Sequence, residues 1–267
     1  MLDGAAVKQF QKQMWTSGDF ARVATANTLV GELLCESVDV RSSQKVLDVA
    51  TGSGNTALAA ARRGCDVVGI DFVGALLDKA RERAAVERLQ IAFQEGDAES
   101  LPFADASFDV VLSTFGAVFA PDQEKAASEL LRVCRPGGKI GMANWVPDGF
   151  VGEVQRLSAR YVPPRGDAKP PALWGTEARL RELFGSGIAS LRVARRSANM
   201  RYRSEQDWLE LTRSYLGPVR QIFQSLDAAQ QGKLAQDALE VLRRFNRSGD
   251  ETVVVPADYV EVVATKR

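Results

Sequence analysis

Between Lys45 and Trp145 the chain repeats one unit: a short apolar run, a turn, and a stretch with helical periodicity. The runs KVLDVA, DVVGID, IAFQ, FDVVLSTFG and KIGMANW are each four to nine residues long. They are rich in β-branched residues, which favour a pleated backbone. Between them NTALAAARRG, GALLDKARERAAVERL and DQEKAASELLRVCRPGG read as amphipathic helices. Arg135-Pro136-Gly137-Gly138 stops the last of these. Strands that alternate with helices make parallel βαβ units. Several of the strands are apolar along their whole length, as expected of a sheet covered on both faces. The segment therefore predicts a doubly wound open α/β sheet.

Outside this segment the pattern loosens. Residues 1 to 40 are largely helical and precede the first strand. After Trp145, residues 148 to 162 read as a helix and a Pro-rich stretch, VPPRGDAKPP, follows. LWGTEARLRELFG is a further helix with Thr176 as its N-cap. SLRVARRS predicts a sixth strand and VPADYVEVVAT a seventh. The helical pattern between those two strands is too long for a hairpin loop. It predicts an inserted helical lid.

Composition narrows the chemistry. The 267 residues contain 34 basic and 34 acidic side chains and no histidine. A net charge of zero gives no global attraction to nucleic acid or an anionic bilayer. Without histidine, Ser-His-Asp and Cys-His triads and His-bearing zinc sites are impossible, as is a pH step from an enzyme imidazole. The cysteines Cys35, Cys65 and Cys134 have no paired spacing, and read as small apolar residues of a reducing compartment. With no signal peptide and no apolar run long enough to span a bilayer, the expectation is a cytoplasmic protein. No metal site is expected.

The first strand runs into LDVATGSGN, with Asp48 in the strand and Gly52 and Gly54 in the turn before a helix. Glycines there let the backbone approach a ligand, and a helix N-terminus favours anionic groups. A plain tight turn has the same sequence, so the motif carries weight only with others. Asp71 closes the second strand, where a carboxylate can accept from both hydroxyls of a ribose. Phe72 offers a flat apolar face, or is simply core. Asp97 and Ala98 end the third strand, placed to accept from an adenine amino group and to donate a backbone N–H to its ring.

In VLDVATGSGN, VVGIDF, EGDAESLPF, FDVVLSTFG and LLRVCRPGGKI, taken in this order, the chain resembles the class I S-adenosylmethionine-dependent methyltransferases, in the group similar to the ubiquinone/menaquinone C-methyltransferases. The likeness is close over about residues 40 to 146 and loose elsewhere. It implies a Rossmann-like, seven-stranded, mostly parallel sheet with an antiparallel last strand. The implied parts are an N-terminal helical flap (1–40), a cofactor-binding core (41–146), substrate-side helices with the sixth strand (147–203), a helical lid (204–250) and the last strand (251–267). It also implies S-adenosylmethionine as cofactor, S-adenosylhomocysteine as product, and a small-molecule acceptor. By the same resemblance Asp48, Ala50, Gly52 and Gly54 surround the methionine part, Asp71 the ribose, and Phe72, Asp97 and Ala98 the adenine. Thr114 and Phe115 border methionine and acceptor. Ala50 departs from the family, which has a glycine there.

A preactivated methyl group needs proximity and exclusion of water more than a strong base, so the absence of histidine suits this reaction. Asp19, Tyr161 and Tyr215 are candidate proton acceptors; the commoner readings are the N-cap of a helix starting at Phe20 for Asp19 and buried aromatics for the tyrosines. Trp15 and Phe20 before the core, and Asn144 and Trp145 at the end of the fifth strand, are candidates to line the acceptor site. For the last two a helix cap and a core contact are the alternatives. Arg192, Arg195, Arg196, Arg201 and Arg203 read as an anion clamp or as a charged strand edge. A non-catalytic binder of the same cofactor and an NAD-dependent oxidoreductase are the competing functions.

Overall fold

The computed structural model describes residues 4–162 and 169–267. Much of the Pro-rich stretch falls at 163–168, outside the described residues. Seven strands form one sheet: β1 (Lys45–Val49), β2 (Asp66–Asp71), β3 (Ile91–Glu95), β4 (Phe108–Thr114), β5 (Cys134–Trp145), β6 (Ile188–Tyr202) and β7 (Val253–Lys266). Their order is β3-β2-β1-β4-β5-β7-β6. β1 to β5 pair in parallel, and β7 runs antiparallel between β5 and β6. Only β7 opposes the rest, as the resemblance implies. The strand order reverses between β1 and β4, and open α/β sheets collect ligands at the carboxyl ends of strands at such a switch point.

The helices are α1 (Gly4–Thr16), α2 (Phe20–Ala24), α3 (Thr28–Val38), α4 (Asn55–Arg62), α5 (Gly74–Val86), α6 (Gln123–Val133), α7 (Phe150–Tyr161), α8 (Glu177–Phe184), α9 (Glu205–Tyr215), α10 (Gly217–Ser225) and α11 (Ala228–Phe245). One face of the sheet packs on Leu34, Cys35, Val38, Ala57 and Ala60 of α3 and α4. The other packs on Ala127, Leu130 and Val133 of α6 and on Leu180 and Phe184 of α8. Both faces are covered, which is why β1 and β4 have little polar content. The side chain of Thr176 accepts from the Arg179 amide and caps α8, as its position predicts.

The helices inserted between β6 and β7 form their own core with α7, through Phe150, Leu157, Trp208, Phe223 and Leu242. They lean on the N-terminal segment. Gly18 sits so close to Tyr215 that a Cβ there would lie 2.2 Å from its carbonyl oxygen, and a Cβ on Gly217 would lie 2.1 Å from that of Met14. No helix among the described residues is long and apolar enough to cross a membrane.

Candidate functional site

The turn after β1 is built from left-handed backbone. Ala50 has φ 55°, Gly52 55° and Gly54 86°. For Ala50 this conformation costs roughly 1 kcal/mol, because its Cβ crowds the following carbonyl. Across the switch point Phe115, just after β4, is also left-handed at φ 60°. Gly116 then passes so close to the turn that a Cβ on it would lie 2.5 Å from the Cβ of Ala50. Non-glycine residues in this region persist only where their surroundings hold them. Ser113 does part of the holding: its hydroxyl donates to Val49 O at 2.8 Å and accepts from the Ala117 amide at 3.0 Å.

Two buried carboxylates fasten the turn. Asp48 Oδ2 accepts from Thr51 Oγ1 at 2.6 Å and from the Ala57 amide at 3.0 Å. Asp71 accepts from the Gly52 amide at 2.8 Å and from the Val73 amide at 2.9 Å. Neither carboxylate forms an ion pair among the described residues, so burial dominates their titration. It pushes Asp48 up to about 7 and Asp71 up to about 6, against the hydrogen bonds that favour the charged forms. A chain without an imidazole thus has two groups titrating where an imidazole would.

Two cavities meet at this turn and share Ala50, Asp71, Phe72, Gly116 and Phe119 in their walls. The larger, about 870 Å³, is also lined by Ile70, Gly96, Asp97 and Ala98 and by α1 residues including Lys8, Gln11 and Lys12. The smaller, about 90 Å³, is lined by Asp48, Thr51, Gly52, Asn55, Thr56, Thr114 and Phe115, and on its far side by Trp15, Phe20 and Asn27. Trp15 meets Phe20 and Phe119 edge to face, with ring centroids 5.4 and 5.1 Å apart.

Of the residues expected from sequence, Asp48, Ala50, Gly52, Asp71, Phe72, Asp97, Ala98, Thr114, Phe115, Trp15 and Phe20 are therefore brought to one connected cleft. Gly54 lies behind the turn as the first residue before α4, where a Cβ would stand 3.1 Å from that of Ala80. Asn144 and Trp145 line neither cavity. Asn144 Nδ2 donates to Trp174 O at 3.1 Å, and Trp145 stacks on Phe115 with centroids 3.6 Å apart. Asp19 occupies the N-cap position of α2 without a side-chain cap bond, and its nearest cation is Arg22 at 3.7 Å. Tyr161 donates to Asp237 at 2.6 Å, and Tyr215 accepts from Arg22 at 2.8 Å. Neither hydroxyl reaches the cleft walls.

The cover over the cleft comes from the N-terminus. Lys8 Nζ lies 2.6 Å from Asp97 Oδ2 and 2.5 Å from Glu99 Oε2, Lys12 pairs with Glu95 at 3.0 Å, and Gln11 donates to Phe119 O at 3.0 Å. No described residue of 204–250 lines either cavity; the inserted helices brace α1 and α2 from behind.

Residues 46–138 match the family described as Methyltransferase domain. The chain is 35% identical over 261 residues to an uncharacterized protein of Mycobacterium tuberculosis, covering 96% of this chain and 94% of the relative. It is 36% identical over 161 residues to the demethylmenaquinone methyltransferase of Thermus thermophilus, covering 54% of this chain and 73% of that enzyme. The chain belongs to the S-adenosylmethionine-dependent methyltransferase family. In fold, YcgJ of Bacillus subtilis superposes with a TM-score of 0.62 at 21% identity, over 88% of this chain and 97% of that one.

Family membership makes the glycine-rich turn and the strand-end carboxylates, all within the matched residues 46–138, the candidates for a cofactor site. It does not account for Lys8, Ser113 or Asn27. Lys8 lies 89 residues from its partner Asp97, and Ser113 64 from Val49, so no local pattern marked them. Asn27 stands at the start of a helix, where a polar side chain reads as an ordinary cap.

Proposed function

We propose that the protein transfers a methyl group from S-adenosylmethionine to an uncharged, largely apolar small molecule. The observation that carries this reading is the single cleft joining the carboxyl ends of β1, β2, β3 and β4 around a turn with left-handed Ala50 and Gly52. A larger side chain at either position of that turn would close the approach. The larger cavity falls within the ~300–1,000 Å³ usual for a small-ligand site.

In this proposal Asp71, held by two backbone amides, accepts from the ribose hydroxyls with its remaining lone pairs. Phe72 covers one face of the adenine, and Asp97 and Ala98 meet its polar edge. Asp48 keeps the turn in shape by bonding Thr51 and Ala57. When bound, the cofactor supplies a methyl group on a cationic sulfonium. Trp15, Phe20, Phe115 and Phe119 then exclude water from that end of the cleft, and the contribution of the protein is alignment and desolvation. No lysine or arginine lines the smaller cavity, and Asp48 and Asp71 do, which speaks against an anionic group there. Three of the β6 arginines are engaged with acids: Arg195 with Asp148 and Asp258, and Arg192 and Arg196 with Glu261. That supports the charged-edge reading over an anion clamp. The three cysteines are free, which supports a reducing, cytoplasmic setting.

Calorimetric titration of S-adenosylmethionine and S-adenosylhomocysteine into the parent protein and a Gly52→Val variant tests the reading. Binding by the parent and its loss in the variant are expected, since Gly52 is left-handed and its amide bonds Asp71. Absence of both heat and thermal shift with the parent would sink it. Labelled methyl transfer to a panel of neutral acceptors then tests the acceptor class.

A further inference from the structure

Lys8 of α1 reaches two carboxylates of the loop after β3, its Nζ lying 2.6 Å from Asp97 Oδ2 and 2.5 Å from Glu99 Oε2. The two have different surroundings. The Glu99 side chain is 5% exposed, its Oε1 accepts from the Asp122 amide at 2.8 Å, and Lys8 is the one cation that pairs with it among the described residues. The Asp97 side chain is 40% exposed, and its Oδ1 accepts from the Glu99 amide at 2.8 Å. That bond fixes the carboxylate and leaves Oδ2 to Lys8. Asp97 and Lys8 both line the larger cavity, and Glu99 does not.

A buried carboxylate stripped of its cation is costly, whereas an exposed one regains water when its partner leaves. Asp97 is therefore the weaker hold on Lys8, and Glu99 the stronger. At the other end of α1 a Cβ on Gly217 would lie 2.1 Å from Met14 O, so backbone packs on backbone there and the helix stays in place. Lys8 can release Asp97 without leaving Glu99.

We propose that Lys8 competes with the adenine amino group for Asp97: the free protein blocks part of its own cofactor site, and cofactor entry moves the ammonium onto Glu99 alone. The inference rests on the S-adenosylmethionine reading given above, in which Asp97 meets the polar edge of the adenine. An ammonium has donors and no lone pair, so it cannot accept from an amino group. At Asp97 Oδ2 the two are rivals.

Calorimetry with S-adenosylhomocysteine on Lys8→Met, Glu99→Gln and the double variant, at low salt, tests this. Lys8→Met keeps the aliphatic stem and should bind about fivefold more tightly than the parent, the equivalent of one partly exposed ion pair removed from the competition. Its melting temperature without ligand should fall, because Glu99 loses its cation. Glu99→Gln should bind more weakly than the parent, since Lys8 is then left to Asp97. The double variant leaves no buried charge unpaired at this position and should bind as tightly as Lys8→Met. A double variant that binds no more tightly than the parent overturns the proposal, because a lysine that only braces α1 or touches the ligand gives that result. Unweakened binding by Glu99→Gln overturns the shift onto Glu99. A parent protein that binds no S-adenosylhomocysteine overturns the cofactor reading itself, a result distinct from the other two.

Discussion

At the carboxyl ends of β1 and β2, Asp48 and Asp71 are 1% and 5% exposed and have no ion pair among the described residues. On β7, beside the far edge of the same sheet, Glu261 is just as buried at 2% but has Arg192 and Arg196 of β6 at 3.8 and 3.4 Å. One chain therefore handles buried carboxylates in two ways. At the edge, long cations cover the carboxylate and shield an exposed strand from pairing with another chain. At the turn, backbone amides and a hydroxyl hold the carboxylates, leaving them short of countercharge and raised in pKa. Uncompensated burial of charge is costly, and under the proposed function a ligand that uses the remaining lone pairs accounts for its retention.

The largest effect that would break this contrast is at Asp71. Its ionised form is the better acceptor for ribose hydroxyls, and it ionises at about 6. Affinity for S-adenosylhomocysteine should therefore rise between pH 5 and pH 7.5 in the parent protein. Asp71→Asn should bind about 10- to 100-fold more weakly, the cost of losing charged hydrogen bonds, with little dependence on pH over that range. Calorimetry at several pH values decides, and a parent affinity that is flat with pH would count against an ionised Asp71 at the ribose.

A smaller effect is expected at Asp48, and on stability. Its folded value of about 7 lies above the ordinary 3.8 of an aspartate. The stability linked to its protonated form is thus fully present below pH 4 and is lost as pH rises through 7. Asp71 acts in the same direction through about 6. The parent should melt at lower temperature at pH 8 than at pH 5, and Asp48→Asn should flatten that slope while keeping an acceptor for Thr51 or Ala57. Equal slopes in the two proteins, by scanning calorimetry, would show that Asp48 does not titrate there.

The same contrast separates what was legible in the sequence from what was not. Asp48, Gly52, Asp71 and Asp97 stand at the ends of apolar runs, and in a doubly wound sheet those ends open on the switch-point crevice, so local pattern sufficed to place them at the cleft they line. The strands and helices of residues 45–145 were legible for the same reason: period and turn chemistry agree along each run. The cover over the cleft was not, because it depends on tertiary packing. The segment 204–250 reads as a lid by length alone, but α1, latched through Lys8 and Lys12, lines the cavity. Asn27 was hidden by its helix-start position, which has a commoner explanation in the cap it does not form.

The arginines of β6 are the case where pattern left two readings open, and they give the smallest expected effect. Five arginines between 192 and 203 with no acid among them read in sequence as a charged strand edge, with an anion clamp as the alternative. Arg192, Arg195 and Arg196 find their partners in Asp148 before α7 and in Asp258 and Glu261 of β7, which sequence distance concealed. Arg195 is half exposed, bonding Asp148 at 3.0 Å and Asp258 at 2.9 Å. Exposed pairs are worth about 0.2–1 kcal/mol and are screened by salt. Arg195→Ala should therefore lower stability by no more than about 1 kcal/mol at low salt and by less at high salt, in urea unfolding. It should leave S-adenosylhomocysteine affinity unchanged, since Arg195 lines neither cavity. A loss of acceptor turnover without a loss of stability would give the anion-clamp reading back to this edge, and would move the acceptor toward a carboxylate or phosphate.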